Sequence, residues 1–400
     1  MLSADVVYST SQPQQQEVIN MRIVIMGSQA RSMANFWPTL IKMLVEARHE
    51  VVCFVPDTSE EADRRAIIRL KSWGALVRPV PMNRRGLNPV ADLRSLYLLW
   101  RELRRIKPDV FFGYAIKPVI YGTIAAWLAS VPARFAMITG LGYTFEADNL
   151  PKRVLTLAAS CLYKFALKHC KTVFFQNRDD LAHFQKLGIL PKEPKPGQIG
   201  MLRGTGVDIG HFEFCPPKLS PVTFLLVGRL VEAKGIREFA GAASQLGRDY
   251  SDQAVFQILG PAESGPGSVP LDEVKAWAQG GFLEYLGATD DVRPFIREAS
   301  VMVLPSYREG LPTSIMEGMS MGRPAVVADV PGCRELVVEG VNGFMVPVRN
   351  TSALAEAMEK FVKQPDLIAS FGKTGRDMAE KDFDAREVAA NLMQSMGLRN

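Results

Sequence analysis

The amino-acid sequence predicts an α/β protein made of two doubly wound domains that face each other across a cleft. Short apolar runs rich in β-branched residues alternate with longer amphipathic patterns, which is typical of parallel strands joined by crossover helices. A segment rich in proline and glycine interrupts the alternation at 191–206, after which it begins again. A chain of 400 residues with 47% hydrophobic and 22% charged side chains is long enough to bury two separate cores.

The predicted strands fall into two series. The first series is 21–26, 51–55, 77–80, 109–113, 133–138 and 172–176, and the second is 223–227, 255–259, 282–286, 301–305 and 325–329. We therefore predict a first domain over 21–205 and a second over 206–382. The segment 191–206 lacks the apolar periodicity of a core element and is interpreted as the linker.

Both ends of the chain differ from the two domains. Residues 1–20 are polar and rich in Gln and Ser, so we interpret them as a disordered extension. The segment 383–400 has apolar residues on one helical stripe, which predicts an amphipathic helix. This helix can pack on either domain, including back on the first.

Net charge is divided unevenly between the two predicted domains. Residues 21–205 carry 28 Lys and Arg against 14 Asp and Glu, a net +14, whereas 206–400 carry 19 against 26, a net −7. A basic surface concentrates anionic partners. No nucleic-acid-binding module is recognisable, and the acidic second half would repel phosphate, which leaves anionic lipid or a phosphorylated substrate as partners of the basic half. We expect an anionic membrane surface and no nucleic acid. The cations cluster at Arg84, Arg85, Arg94, Arg101, Arg104, Arg105, Lys107 and from Lys152 to Lys168.

Several other classes of protein are excluded by composition and spacing. No apolar run reaches the roughly 18 residues of a spanning helix. The five cysteines are scattered without C-x-x-C spacing, which favours reduced thiols in a cytoplasmic protein. The four histidines are isolated from carboxylates at ligand spacing, and no Asp-x-Asp motif lies near the predicted loops, so we expect no metal and no other cofactor.

The second domain opens with a strand followed by a glycine and two cations. Gly228 allows close approach of the backbone, Arg229 can bind two phosphate oxygens as a fork, and Lys234 adds a mobile point charge. Two cations on a solvated turn would be the simplest reading of this loop alone. Together with the motif that follows, the loop predicts a clamp for a diphosphate.

The second motif places two glutamates around a predicted helix start. Pro312 suits the first helical turn, so Glu309 lies in the loop, whereas Glu317 lies in the helix among apolar neighbours. The free amides at this N-terminus, predicted to be those of Gly310, Leu311 and Thr313, form an anion site. A buried carboxylate such as Glu317 can accept both hydroxyls of a ribose.

These motifs resemble the retaining glycosyltransferases of family 4, whose GT-B fold pairs two facing Rossmann-like domains. The resemblance runs from about residue 21 to the C-terminus and is strongest over 223–345. It implies that Arg229 and Lys234 bind the donor diphosphate and act in catalysis with Glu309, which lies by the donor sugar. It also implies that Glu317 binds the ribose.

The resemblance extends to loops where its implications are narrower. The base-binding loop of the family matches 285–291, where a backbone role passes to Leu286, and the first glycine-rich loop matches Gly27 onward, with one glycine where two are common. Some relatives have a histidine in the loop after the fourth strand, whereas the corresponding loop here, around Lys117, contains none. The resemblance implies a nucleotide-diphosphate donor that carries an N-acetylhexosamine or a related hexose. We expect UDP, although the backbone contacts of the base-binding loop leave the identity of the base open.

The segments 114–122 and 138–143 are similar to a bacterial subgroup that acts on undecaprenyl-diphosphate-linked sugars. This similarity implies a lipid-linked sugar acceptor, with acceptor contacts from Tyr114, Lys117, Gly140 and Tyr143. The corresponding location is the inner face of the cytoplasmic membrane, where the protein would be peripheral.

Three alternatives remain at the level of sequence. A soluble acceptor is compatible with the donor motifs, and a sugar-nucleotide epimerase of the same fold would bind the same donor. An NAD-dependent dehydrogenase is disfavoured because the first loop lacks the G-x-G-x-x-G fingerprint and no acidic residue ends the second strand.

Overall fold

The computed structural model describes residues 20–58, 60–82, 89–140, 150–265 and 267–398. The predicted extension at 1–20 therefore lies almost entirely outside the described residues, and so do Arg84, Arg85 and Tyr143. The described residues form two parallel β-sheets, of seven and six strands, with helices packed on their faces. This is the two-sheet α/β architecture that the alternating pattern predicts.

The first sheet has the strand order β3-β2-β1-β4-β5-β6-β7. Its strands are β1 (Arg22–Met26), β2 (Glu50–Pro56), β3 (Leu76–Val80), β4 (Val110–Tyr114), β5 (Ala133–Ile138), β6 (Thr172–Phe175) and β7 (Ile199–Met201). The helices between them are α1 (Ala30–Phe36), α2 (Pro38–Glu46), α3 (Glu61–Ser72), α4 (Pro89–Ile106), α5 (Thr123–Leu128), α6 (Leu150–Leu167) and α7 (Arg178–Lys186), with a π-helical turn at Pro118–Gly122.

The second sheet has the order β10-β9-β8-β11-β12-β13. Its strands are β8 (Val222–Val227), β9 (Ala254–Leu259), β10 (Glu284–Tyr285), β11 (Val301–Leu304), β12 (Ala325–Ala328) and β13 (Gly343–Val346). Its helices are α8 (Ile236–Asp249), α9 (Leu271–Gln279), α10 (Arg293–Glu298), α11 (Thr313–Ser320), α12 (Thr351–Lys363) and α13 (Asp366–Asp382), and a 3-10 turn covers Glu232–Lys234.

The strand predictions are confirmed with three differences. The linker prediction is wrong where it excludes a core element, because β7 pairs with β6 inside the segment 191–206. The strand β13 was not predicted. The strand β10 covers only Glu284–Tyr285 of the predicted 282–286, and Gly287, two residues after it, adopts a φ of +77° that does not continue an extended strand.

In both sheets the strand order reverses beside the first strand of the series, between β1 and β4 and between β8 and β11. Loops that leave the carboxyl ends of such neighbouring strands diverge to opposite faces and leave a crevice, which is where open α/β sheets bind ligands. The loops that carry the predicted site residues Gly27, Gly228 and Glu309 follow β1, β8 and β11.

The last helix, α14 (Ala385–Met396), packs on the first sheet's side of the molecule. Its buried residues Val388, Leu392 and Met396 join the apolar cluster of α2 and β1. A ring nitrogen of His49 lies 3.2 Å from the carbonyl oxygen of Leu398. Of the two placements that the sequence left open, the structure shows the one on the first domain.

The chain therefore crosses between the two sheets twice, and the two crossings lie side by side. The amide of Val207 donates to the carbonyl oxygen of Phe383 at 2.8 Å, and the amide of Ala385 donates to that of Val207 at 3.0 Å. Gly206, with a φ of +70°, leaves no room for a side chain because a Cβ there would overlap the backbone of Ala385. Among the described helices, none is long and apolar enough to cross a membrane.

Candidate functional site

The candidate site lies where the loops at the carboxyl ends of the two sheets meet. Gly310, after β11, approaches Thr139 after β5 so closely that a Cβ on Gly310 would overlap the Thr139 carbonyl oxygen. At the outer edges of the sheets, Arg65 of α3 pairs with Asp290 after β10 at 3.2 Å. The two sheets thus face each other through these loops, as the predicted cleft requires.

The turn after β8 is held in place by a second close backbone approach. Gly235 has a φ of +68°, and a Cβ there would overlap the carbonyl oxygen of Pro305. The amide of Tyr307 donates to the carbonyl oxygen of Ala233 at 2.9 Å. Since only glycine fits this position without strain, the sequence Lys234-Gly235 fixes the lysine beside the loop after β11.

Lys234 and Glu309, two of the three predicted catalytic residues, form an ion pair. Lys234 Nζ lies 2.5 Å from Glu309 Oε1, and their side chains are 22% and 12% exposed. The third, Arg229, is half exposed and lies 3.5 Å from Glu263 Oε1 in the loop after β9. Both cations predicted to bind a diphosphate are therefore held at the crevice by a carboxylate of a neighbouring loop.

Backbone amides at the start of α11 point to anion binding. Pro312 is the N-cap, one position earlier than predicted, and it supplies no side-chain cap. The amides of Gly310, Leu311 and Thr313 donate hydrogen bonds to none of the residues that the structure describes. Unpaired amides at a helix N-terminus favour a negatively charged group, and Lys234 lies beside them.

Glu317 lies in the second turn of α11, between the buried residues Met316 and Gly318. Its side chain is half-buried, and desolvation raises the pKa of its carboxyl to about 8. Within the described part of the chain, no side chain or backbone amide donates a hydrogen bond to this carboxyl. The carboxyl is thus a half-buried acceptor with capacity for donors such as a pair of hydroxyl groups.

Hydrogen bonds to β9 and to the loop that follows β9 hold the predicted base-binding loop in place. The amide of Leu286 donates to Ile258 at 2.9 Å, and the amide of Gly260 donates to Gly287 at 2.7 Å. The hydroxyl of Tyr285 donates to the Gly260 carbonyl oxygen at 2.9 Å. Leu286 is half-buried at the mouth of the crevice, and its contact with a base stays a prediction.

Two predicted site residues of the first domain, Tyr114 and Lys117, are buried or paired within the protein. Tyr114 is only 3% exposed and packs beneath Gly27, where a Cβ would overlap the tyrosine hydroxyl. Lys117 forms a buried ion pair with Asp92 at 2.7 Å, and Tyr121 donates to the same carboxylate. Both predicted acceptor residues are thus engaged by the protein itself, and their contact with an acceptor stays a prediction.

Gly140 has a φ of +119° and lies against Gly310, so among the predicted acceptor residues that the structure describes it is the one found directly at the junction of the two sheets. Tyr143 lies outside the described residues. No group of three or more His, Cys, Asp or Glu side chains within the described ranges is arranged to hold a metal ion.

Sequence reasoning missed three groups of the crevice. Glu263 faces Arg229, and Asn177 and Asp180 at the start of α7 bond to the loop that carries Glu309. The spacing of Asn177 and Asp180 signals a helix N-cap, which the structure shows at 2.8 Å. No sequence signal connects them to a loop more than 120 residues away.

Two family descriptions match this chain, one on each sheet. Residues 33–194 match the family described as glycosyl transferase 4-like domain, and residues 221–364 match the family described as glycosyl transferases group 1. Outside the two ranges lie the two ends of the chain and the segment 195–220, in which the chain first crosses between the sheets. The chain belongs to the glycosyltransferases, and its two facing sheets have the GT-B arrangement.

Individual proteins are similar over most of the chain. The N,N'-diacetylbacillosaminyl-diphospho-undecaprenol alpha-1,3-N-acetylgalactosaminyltransferase of Campylobacter jejuni is 26% identical, covering 94% of this chain and 98% of that enzyme. The UDP-Gal:alpha-D-GlcNAc-diphosphoundecaprenol alpha-1,3-galactosyltransferase of Escherichia coli is 28% identical, covering 70% and 73%. The crystal structure of HepE from Anabaena in complex with UDP and glucose has a TM-score of 0.71 at 15% identity, covering 94% and 100%. At that identity the structural likeness shows the fold alone.

The raised pKa of Glu317 predicts a pH-dependent effect of its replacement. Because the folded state holds this proton up to about pH 8, whereas the unfolded chain releases it near 4.5, the wild-type protein loses stability as pH rises between these values. Glu317→Gln removes that loss, so its free energy of unfolding relative to wild type should be higher at pH 9 than at pH 5. Urea denaturation at both pH values measures the difference. An equal difference at the two pH values would show that the carboxyl is not desolvated.

Proposed function

We propose that this protein is a retaining, metal-independent glycosyltransferase that moves a sugar from UDP to a polyprenyl-diphosphate-linked glycan. The sugar is an N-acetylhexosamine or a related hexose. The observation that carries the proposal is the Lys234–Glu309 pair beside the unpaired amides at the start of α11. This arrangement combines a cation, a helix N-terminus and a carboxylate at one crevice, which suits a sugar attached to a diphosphate.

The donor contacts follow from the chemistry of each group. Arg229 and Lys234 contact the diphosphate, and the amides of Gly310, Leu311 and Thr313 supply further donors at the positive end of the helix dipole. Glu317 accepts hydrogen bonds from the ribose hydroxyls. Nucleotide binding favours the ionised form of this carboxyl, because hydroxyl donors stabilise the charge that desolvation opposes.

The reaction breaks the bond between the anomeric carbon and the phosphate oxygen and forms a bond from that carbon to an acceptor hydroxyl. The acceptor attacks from the face that the diphosphate leaves, so the anomeric configuration is retained. The proton of the acceptor hydroxyl passes to the leaving phosphate oxygen. Negative charge grows on the diphosphate as the bond breaks, and Arg229 and Lys234 stabilise it in place of a divalent cation. Glu309 holds Lys234 and lies by the transferred sugar.

The acceptor assignment rests on two relatives that are named for lipid-linked sugars and on the surface of the first domain. The enzymes of C. jejuni and E. coli are both named for undecaprenol-diphosphate-linked sugars. On the first domain, α4 exposes Leu93 and Tyr97, at 65% and 55%, next to its arginines, and α6 exposes Leu157 and Phe165. Exposed apolar side chains next to cations suit the interface of an anionic bilayer, at the inner face of the cytoplasmic membrane.

The first test of the proposal is direct transfer. UDP-N-acetylhexosamines and UDP-hexoses are offered with a short polyprenyl-diphosphate-linked glycan, in excess chelator. We expect a product whose new linkage has the anomeric configuration of the donor by NMR. An inverted linkage would contradict retention, and loss of activity in chelator would contradict metal independence. Isomerisation of the free UDP-sugar without transfer would identify an epimerase instead.

The roles of the two cations predict a loss of turnover when either is removed. Arg229→Ala and Lys234→Ala each remove charge stabilisation that grows in the transition state, so each should lower kcat by about a hundredfold. Arg237→Ala is the matched control, because Arg237 lies just after the same loop and pairs with two carboxylates at the surface. Steady-state kinetics of the three variants measure the effect. Wild-type kcat in both test variants would remove the cations from the mechanism.

The basic and apolar face of the first domain predicts salt-sensitive membrane binding. Reversing Arg101, Arg104 and Arg105 to Glu should abolish binding to anionic phosphatidylglycerol vesicles and leave UDP binding unchanged. The attraction is screened within about 10 Å at 0.1 M salt, so wild-type binding should fall steeply as salt rises. Vesicle co-sedimentation measures both effects.

A matched control separates local from overall charge. Reversing the exposed second-domain residues Arg248, Lys275 and Arg297 changes the net charge equally and should leave vesicle binding intact. If both triple variants bind vesicles like wild type, the face on α4 does not contact the membrane.

A further inference from the structure

The segment 308–310, which carries Glu309, is bound by groups of both domains, and groups of the opposite domain hold the residues on either side of Glu309. Asn177 Nδ2 donates to the Gly310 carbonyl oxygen at 2.9 Å. Arg308 Nη2 donates to Asp180 Oδ1 at 2.7 Å. Asn177 also binds both the amide and the carboxylate of Asp180, at 2.8 and 3.1 Å. The two residues that flank Glu309 are thus held from the N-terminus of α7, in the first domain.

The first-domain residues that make these contacts are fully buried. Asn177 and Asp180 are both 0% exposed, so the Asp180 carboxylate depends on Arg308 and Asn177 for compensation. A buried carboxylate that loses its cation is strongly disfavoured, which makes the position of Arg308 well defined. The backbone is held directly at the Gly310 carbonyl and tethered through the Arg308 guanidinium on the other side of Glu309, so both contacts restrict the position of the Glu309 side chain.

We propose that Asp180 and Asn177 are positioning residues that hold Glu309 against Lys234 from the other side of the cleft. The first domain then completes the donor site of the second domain, in addition to receiving the acceptor. This inference rests on the proposed function for the role of Glu309. The donor contacts of Arg229, Lys234 and Glu317 come from the second domain and lie outside the segment 308–310. Loss of the cross-domain network should therefore affect turnover more than nucleotide affinity.

The same helix start offers a matched comparison. Asp179, next to Asp180, pairs with Arg334 of the second domain at 3.5 Å, but both side chains are half exposed. This neighbouring pair crosses the same interface without a hydrogen bond or ion pair to the segment 308–310. Its loss therefore reports the effect on kcat of removing a cross-domain ion pair that does not hold this segment.

The test compares Asp180→Asn, Arg308→Gln and their double variant with Asp179→Asn. Asp180→Asn and Arg308→Gln should each lower kcat by about a hundredfold, because misplacement of a catalytic group by about 1 Å has effects of that size. The UDP dissociation constant, measured by calorimetry, should change far less than kcat, because Arg229, Lys234 and Glu317 lie outside the segment 308–310. The double variant should lose no more than either single variant, since both remove one shared contact. Arg308→Lys, which keeps the charge, should recover part of the lost kcat, and Asp179→Asn should keep the wild-type kcat.

A second measurement separates this inference from the proposed function. Hydrogen exchange of the amides from 306 to 311 reports on the loop without any turnover. We expect faster exchange in Asp180→Asn and Arg308→Gln and unchanged exchange in Asp179→Asn. Faster exchange together with wild-type kcat, or unchanged exchange in all variants, would overturn the positioning role. Absence of transfer by wild type with faster exchange in the two variants would instead contradict the proposed function and leave the positioning of Glu309 supported.

Discussion

The site depends on two places where backbone packs directly on backbone. Gly235 lies against the carbonyl of Pro305, and Gly310 lies against the carbonyl of Thr139. A side chain at either glycine would separate the loops that it joins. The first approach brings Lys234 to the loop after β11, and the second brings that loop to the first domain. The Lys234–Glu309 pair and the cross-domain contacts of Arg308 and Gly310 are possible only at these separations.

Charge at the crevice is balanced before any ligand enters. Lys234, which is largely buried, faces Glu309, and the half-exposed Arg229 faces Glu263, so each cation has a carboxylate partner. An incoming diphosphate adds negative charge beside these pairs and shares the cations with the carboxylates. Among the residues that the structure describes, the amides at the start of α11 have no such competing partner. They are therefore the part of the anion site that is available without rearrangement.

The sequence was most informative where local patterns determine local structure. Most strands follow from β-branched runs, and the glycine, the two cations and the two glutamates follow from loop chemistry. The strand β7 was missed because its three residues lie among prolines and glycines, and they form a strand only by pairing with β6. Asn177 and Asp180 look like an ordinary helix cap, since their second role depends on how two domains face each other. Tyr114 is buried beneath the loop that follows β1. The sequence motif suggested an acceptor contact for Tyr114 because a motif does not show whether a side chain is buried.

The paired crossings at Val207 and Asp384 have a mechanical consequence. Two adjacent chain segments joined by hydrogen bonds resist twisting between the domains but allow rotation about one axis through them. The displacement of any point in such a rotation grows with its distance from the axis. Leu311 contacts Gly204 next to the crossings and so has a short lever arm, whereas the Arg65–Asp290 pair joins the edge of each sheet farthest from β7 and β13. When the cleft opens, the anion-binding helix start therefore moves least, and the Arg65–Asp290 contact at the rim separates first.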